Sequence, residues 1–243
     1  YNGAINGAIT IANTGGSVAL AGGAGQSAGA RLGHGGNAAS GTKNGLIDVL
    51  ADSVTVSGGA GTSSNAQIGS GGRSGSGAIS GAISVKSLVG NVVLAGGGGS
   101  LASASIGHGG ESYNGPVTNQ AISVTSADSI SQLGGAGLGA STQIGHGGTN
   151  AGGTGYSGDV TVLVTNSLLV KGGAGSLAYG QIGNGGASSD GPLGGIITVT
   201  VGKDVILSGV SATGAYAQIG NGDDLRNVFA SQSGTGNRSG DIQ

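Results

Sequence analysis

Three histidines stand at matched places in this chain. His34, His108 and His146 each sit in a phrase of the form Ile/Leu-Gly-His-Gly-Gly, and Ser70, Asn184 and Asn221 take the same place in three further copies. Imidazole is a common metal ligand, so two such histidines stacked on each other suggest a shared ion. A metal site needs its whole ligand set held in place, and a column that mixes His with Ser and Asn does not keep one. The column His34, His108, His146, Asn184 and Asn221 therefore reads as a polar ladder, each side chain bonding its neighbour or the adjacent glycine-rich backbone. A second column, Gln67, Gln143, Gln181 and Gln218, is led by Arg31 and interrupted by Ser105. Stacked amides bond side chain to side chain along a sheet. The functional use of such a column is a flat polar face for sugars.

Other chemistries are tested the same way. Corners such as Gly58-Gly59-Ala60-Gly61 resemble calcium-binding nonapeptides, but no Asp follows, and calcium wants several hard oxygens per ion. No Gly-Lys-Ser/Thr follows these glycines, so they do not make a phosphate loop. Asp48, Glu111 and Asp128 fall in different repeats and different columns, so no carboxylate pair for glycoside chemistry is visible. The pair Asp223-Asp224 reads as a solvated loop. The expectation is a non-enzyme that needs no cofactor and no metal. Binding is sought instead in the stretches that do not repeat, which carry Arg73, Glu111, Tyr113, Asn114 and Tyr156. Loops on a rigid scaffold commonly carry function, and Tyr stacks on sugar rings.

These side chains must be positioned by something periodic. The first glycine of the phrase falls at 33, 69, 107, 145, 183 and 220, in steps of 36, 38, 38, 38 and 37. A fixed period in this range marks a stacked-repeat architecture. Each repeat holds three short apolar segments. The first alternates, as in Ile47/Val49, Ile83/Val85, Ile122/Val124 and Val160/Val162, with small or polar residues between. Period two is a strand with one face buried. After a turn comes a second pair, as in Val54/Val56, Val92/Leu94 and Leu168/Val170. In the fourth repeat, Ile130-Ser131-Gln132-Leu133 puts the second apolar residue one place late, which reads as a bulge. A glycine-rich corner then leads to a third strand, Ala66-Gln67-Ile68 and its copies, with Ile inward and Gln outward.

Strand, turn, strand, corner, strand and loop at a fixed period is one coil of a parallel β-helix, with like residues stacked roughly 4.8 Å apart. The expected fold is all-β: a β-solenoid of about six three-stranded coils of 36–38 residues, at 1–36, 37–72, 73–110, 111–148, 149–186 and 187–223, with 224–243 partial. Two coils of about 19 residues would also divide the period, but the two halves of a repeat do not resemble each other. The chain starts within a loop, and Ser239-Gly240-Asp241-Ile242 matches the strand start Ser157-Gly158-Asp159-Val160. It reads as a slice of a longer array, a single run without linkers.

Composition narrows the class. Gly supplies 60 of 243 residues, with no Gly-X-Y triplet and only two prolines, so this is not collagen. The eight basic residues are scattered and the net charge is −2, which argues against nucleic acid as a partner. Nothing in the chain approaches the apolar run a membrane helix needs, so no membrane insertion is expected. Zero cysteine excludes a disulfide scaffold.

The segments Gly158-Asp159-Val160-Thr161-Val162, Ser167-Leu168-Leu169-Val170 and Gly202-Lys203-Asp204-Val205-Ile206-Leu207-Ser208-Gly209 resemble repeats of filamentous-haemagglutinin-type exoproteins, exported by two-partner secretion. The Ala-Gln-Ile-Gly-His/Asn-Gly-Gly phrase is similar to repeats of CdrA-type biofilm matrix adhesins. The resemblance covers residues 1 to about 223, and Asp224 to Arg238 has no clear counterpart. It implies a right-handed β-helix, an extracellular rod-like adhesin at the cell surface or in a biofilm matrix, and exopolysaccharide or another surface glycan as partner. It supplies no catalytic residues. The reading of a filament unit, self-associating through open coils, stays beside it.

Overall fold

Each alternating segment becomes a strand because its β-branched residues suit the pleat and only one of its faces is apolar. The computed structural model describes residues 2–222. Asp223-Asp224, the loop to Arg238 and the Ser239-Gly240-Asp241-Ile242 strand start lie outside the described residues. Within 2–222 there is no helix, and every strand pair is parallel. The chain is a β-solenoid of six coils.

The first face stacks Ile9–Ala21, Ile47–Ser57, Ile83–Ser87, Ile122–Ser126, Val160–Val164 and Ile197–Val201. In the first two coils the strand runs on into the second face, which continues as Val92–Ala95, Ile130–Leu133, Leu168–Lys171 and Val205–Ser208. The third face stacks Ala30–Leu32, Ala66–Ile68, Ala104–Ile106, Thr142–Ile144, Gly180–Ile182 and Ala217–Ile219. Register follows the repeat: Ile68, Ile106, Ile144 and Ile182 pair in turn, as do Val49, Val85, Val124 and Val162. Each strand partners the strand one repeat away, so one repeat is one coil. The inward columns of the three faces meet in one continuous core. Each fully buried aliphatic side chain there stabilises by about 1.5–3 kcal/mol.

Two expectations need correction. Ile130–Leu133 makes no bulge: Gln132 pairs in register with Leu94 on one side and Val170 on the other. Gln132 therefore points into the aliphatic column, fully buried, while Leu133 faces out. The continuous hydrogen-bonded ladders of both neighbours hold the strand straight, and that outweighs the burial of one amide.

The second correction concerns the stretches that do not repeat. They form a fourth, narrow face of two-residue strands: Ile5–Asn6, Lys43–Asn44 and Ile79–Ser80 pair in turn, then Val117 bridges to Tyr156, and Tyr156–Ser157 pairs with Leu193–Gly194. Ile79, Tyr113, Val117, Ala151, Tyr156 and Leu193 make a second core beneath it. Between the third and fourth faces the backbones touch. A Cβ on Gly147 (φ +100°) would lie 2.7 Å from the Gly185 carbonyl oxygen, so only glycine fits both the conformation and the contact.

Candidate functional site

The histidine column sits at the corner that follows the third face, on the chain's own hydrogen-bond path. The backbone N–H of each member donates to the side chain one coil on: His34 to Ser70 Oγ (3.1 Å), Ser70 to His108 Nδ1 (3.0 Å) and His108 to His146 Nδ1 (3.1 Å). His146 then donates to Asn184 Oδ1 and Asn184 to Asn221 Oδ1, both at 2.9 Å. Since Nδ1 of His108 and His146 accepts, the ring proton is on Nε2. That proton goes to the Gly81 carbonyl (2.7 Å) from His108 and to the Gln120 carbonyl (2.6 Å) from His146. Asn reproduces the pattern, with Oδ1 in place of Nδ1 and Nδ2 in place of Nε2–H; Asn184 Nδ2 donates to the carbonyls of Gly158 and Gly194.

The ladder thus fastens one coil to the next and the corner to the fourth face. The His108 and His146 rings stack 5.2 Å apart at an interplanar angle of 2°. Burial lowers the pKa of His108 to about 4, against the pull of its hydrogen bonds to Gly81 and Ser70. Burial, and then His108 beside it, lowers that of His146 to about 3. Both rings are neutral at physiological pH, and neither has a lone pair left for a metal while these bonds stand.

The glutamine column differs from the expected amide ladder. Gln67, Gln143 and Gln181 are buried, and they bond backbone, not each other. Gln67 Nε2 donates to the carbonyls of Gly107 and Gly109, Gln143 Nε2 to those of Gly183 and Gly185, and Gln181 Nε2 to those of Gly220 and Gly222. The glycine corner of the next coil offers two carbonyls at one amide's reach, and that wins over a neighbouring side chain. Gln218 stands in the same column of the last described coil, with a buried Oε1 that has no partner. Arg31, at the head of the column, makes the same reach with Nη1 to the Gly71 carbonyl (2.7 Å).

A groove runs over this column along the stack. Its floor is Arg31, Gln67, Ser105 and Gln143; one wall carries Asn65, Ser103 and Ser141, the other Arg73, Glu111 and Thr149. Arg73 Nε lies 3.4 Å from Glu111 Oε2, with Arg73 about a third exposed. Burial raises the pKa of Glu111, and Arg73 opposes the rise. In the fifth and sixth coils the groove is filled by Tyr179 and Tyr216, whose rings stack 5.0 Å apart over Ala187.

Of the loop residues singled out in the sequence, Arg73 and Glu111 come together on this groove. Asn114 is exposed on the loop away from it. Tyr113 and Tyr156 are not surface rings at all: both are fully buried in the second core. Tyr113 Oη donates to the Gly77 carbonyl (2.6 Å), Tyr156 Oη to the Tyr113 carbonyl (2.5 Å), and burial pushes the Tyr156 phenol up to about 12. Lys43, which sequence reasoning passed over, is buried beside them. Its ammonium donates to the carbonyls of Gly41 and Ser76 (both 2.6 Å) and Ala39 (3.2 Å), and reaches Tyr113 Oη at 3.3 Å. Arg31 also had a visible signal, as a cation standing where glutamine recurs.

No family model, curated protein or solved structure matches this chain.

Proposed function

We propose that this chain is a rod segment of a secreted bacterial surface or biofilm-matrix adhesin, and that it contacts exopolysaccharide or another surface glycan through its side. The observation that carries the reading is the in-register stacking of the third face through six coils, from Leu32 to Ile219, tied by side-chain bonds from coil to coil at the His and Gln positions. Such a stack supplies length and stiffness. The groove on its third face supplies a polar surface parallel to the long axis.

The test is retention of the purified chain on polysaccharide-coated surfaces, together with an assay for released reducing ends. Retention with no release is the expected result; release of reducing ends would overturn the reading in favour of a glycan-cleaving enzyme.

A second reading, a filament unit joined end to end, has its own observation. Val205 and Leu207 stand in register with Leu168 and Val170, as each coil does with the next, so the same pairing would serve between copies. Electron microscopy over a range of protein concentration separates the two. Rods of one fixed length support the adhesin, and fibres whose length grows with concentration support the filament.

A further inference from the structure

We propose that the groove on the third face binds a carboxylate-bearing saccharide, a uronate-containing glycan, with Arg31 as the residue that takes the carboxylate. This rests on the glycan-contact reading above and gives it a chemical class.

The charge balance comes first. Arg31 and Arg73 set two cations against the single carboxylate of Glu111, while the Lys43 ammonium lies behind the Gly35 backbone, buried and held by carbonyls. Glu111 is occupied by Arg73, and Arg31 has no carboxylate among the described residues. Arg31 and Lys43 are close enough for the first to depress the pKa of the second, after the larger effect of burial. In a protein of net charge −2, Arg31 therefore leaves one uncompensated positive charge at the groove. A planar carboxylate matches a guanidinium fork in shape and charge, whereas a neutral sugar leaves the excess unbalanced.

The groove is also built to hold that fork. The guanidinium lies flat on Gly72: a Cβ there would collide with Nη1 and come within 2.8 Å of Nη2. Nη1 is spent on the Gly71 carbonyl, while Nε is buried without any acceptor. Further along, the Thr149 hydroxyl is 6 % exposed as a residue and has no partner either. Nη2, the guanidinium nitrogen neither bonded nor shut off from solvent, is where a carboxylate oxygen would lie.

The polar walls of Asn65, Ser103 and Ser141 suit hydroxyls, and the groove advances one coil about every 4.8 Å, roughly the length of one hexopyranose ring. It is closed beyond the fourth coil by Tyr179 and Tyr216. The groove is narrow over Gln67 and Gln143 and widens at the Arg31 end among Ser27, Asn37, Ser63 and Asn65, so the site takes a uronate ring there, next to Arg31.

Calorimetric titration tests this with oligogalacturonate, the same oligosaccharide after its carboxyls are reduced to alcohols, and an oligoglutamate peptide. The expected result is binding of oligogalacturonate, at least tenfold weaker binding of the reduced form and of the peptide, and at least tenfold loss in Arg31→Gln. Ser105→Glu adds a carboxylate to the groove floor without touching Arg31, and is expected to give the same loss should Arg31→Gln fail to fold. Equal binding of the reduced oligosaccharide overturns the acidic specificity and leaves glycan contact standing. Equal binding of the peptide overturns the saccharide assignment. Unchanged affinity in a folded Arg31→Gln overturns the role of Arg31. No binding of either oligosaccharide overturns this proposal, and loss of retention on polysaccharide-coated surfaces as well overturns the glycan contact on which it rests.

Discussion

The two buried histidines make the rod sensitive to acid in a way that can be worked out. Their folded pKa values, about 4 and about 3, lie below the ordinary 6.5, so below pH 6.5 the unfolded chain binds more protons than the folded one. Their stabilising contribution is whole above pH 6.5 and is lost as pH falls toward 4, by up to about 1.4 kcal/mol per pH unit for each ring. Asn offers the same acceptor and donor without a proton to gain, as Asn184 demonstrates in the same column. The double variant His108→Asn, His146→Asn is therefore expected to lose little at pH 7.5 and to flatten the drop in denaturation midpoint between pH 6.5 and 4.5. An unchanged drop would mean that other groups set the acid limit. Gln132 is the opposite case. Both atoms of its amide are buried with no partner, between Leu94 and Val170. An unsatisfied buried amide costs about 1–3 kcal/mol, so Gln132→Leu is expected to stabilise by about 2 kcal/mol in denaturant unfolding.

Among the elements, the fourth face carries the most chemistry and left the least trace in the sequence. Its inward column reads Ile5, Lys43, Ile79, Val117, Tyr156, Leu193, and the shape of each coil's loop is adjusted to its own occupant. Lys43 fills its place with an alkyl stem and caps the stem with bonds to three carbonyls. Lys43→Met keeps the stem and strands those carbonyls, so it is expected to cost about 1–3 kcal/mol. Hydrogen exchange should place the loss in the loops around Gly41, Ser76 and Tyr113, leaving the third face protected. Uniform loss along the whole rod would show that the loops do not open as a separate unit.

This contrast also explains what was legible beforehand. The three main faces repeat residue types, because coils stacked in register impose one environment on each column. Ile68, Ile106 and Ile144 announce themselves for that reason. A two-residue strand has no period to detect, so Tyr113 and Tyr156 looked like free rings in loops when they are core. The glutamines were visible as a column, but their bonds to the backbone depend on how far apart two glycine carbonyls lie, which spacing alone does not encode.

At the scale of the molecule, stability in a stack of this kind is nearly a sum over coils and their interfaces, since the strands of each coil pair only with those of its neighbours. A reach across a coil, as from Lys43 to Tyr113, is the exception. That makes coil number an adjustable quantity, provided register is kept. Deleting residues 122–159 removes one full period and joins Ala121 to Val160, whose counterpart is Ile122. The strand Ile83–Ser87 then meets Val160–Val164, with Ile83 opposite Val160 and Val85 opposite Val162, so every inward column stays aliphatic. The corner ladder also closes, because the His108 N–H meets Asn184 Oδ1 in place of His146 Nδ1, the bond His146 now makes. The shortened chain is expected to fold with an unchanged β-sheet circular dichroism per residue and an unfolding m-value lower by roughly one-sixth, because m follows the surface exposed. Deleting 122–140 removes half a period and sets the third face of one coil against the first face of the next, so it is expected to abolish folding. If both deletions folded equally well, the side-chain columns would not be what holds the coils in register, and the ladders of His, Asn and Gln would be ornament on a stack held by its backbone alone.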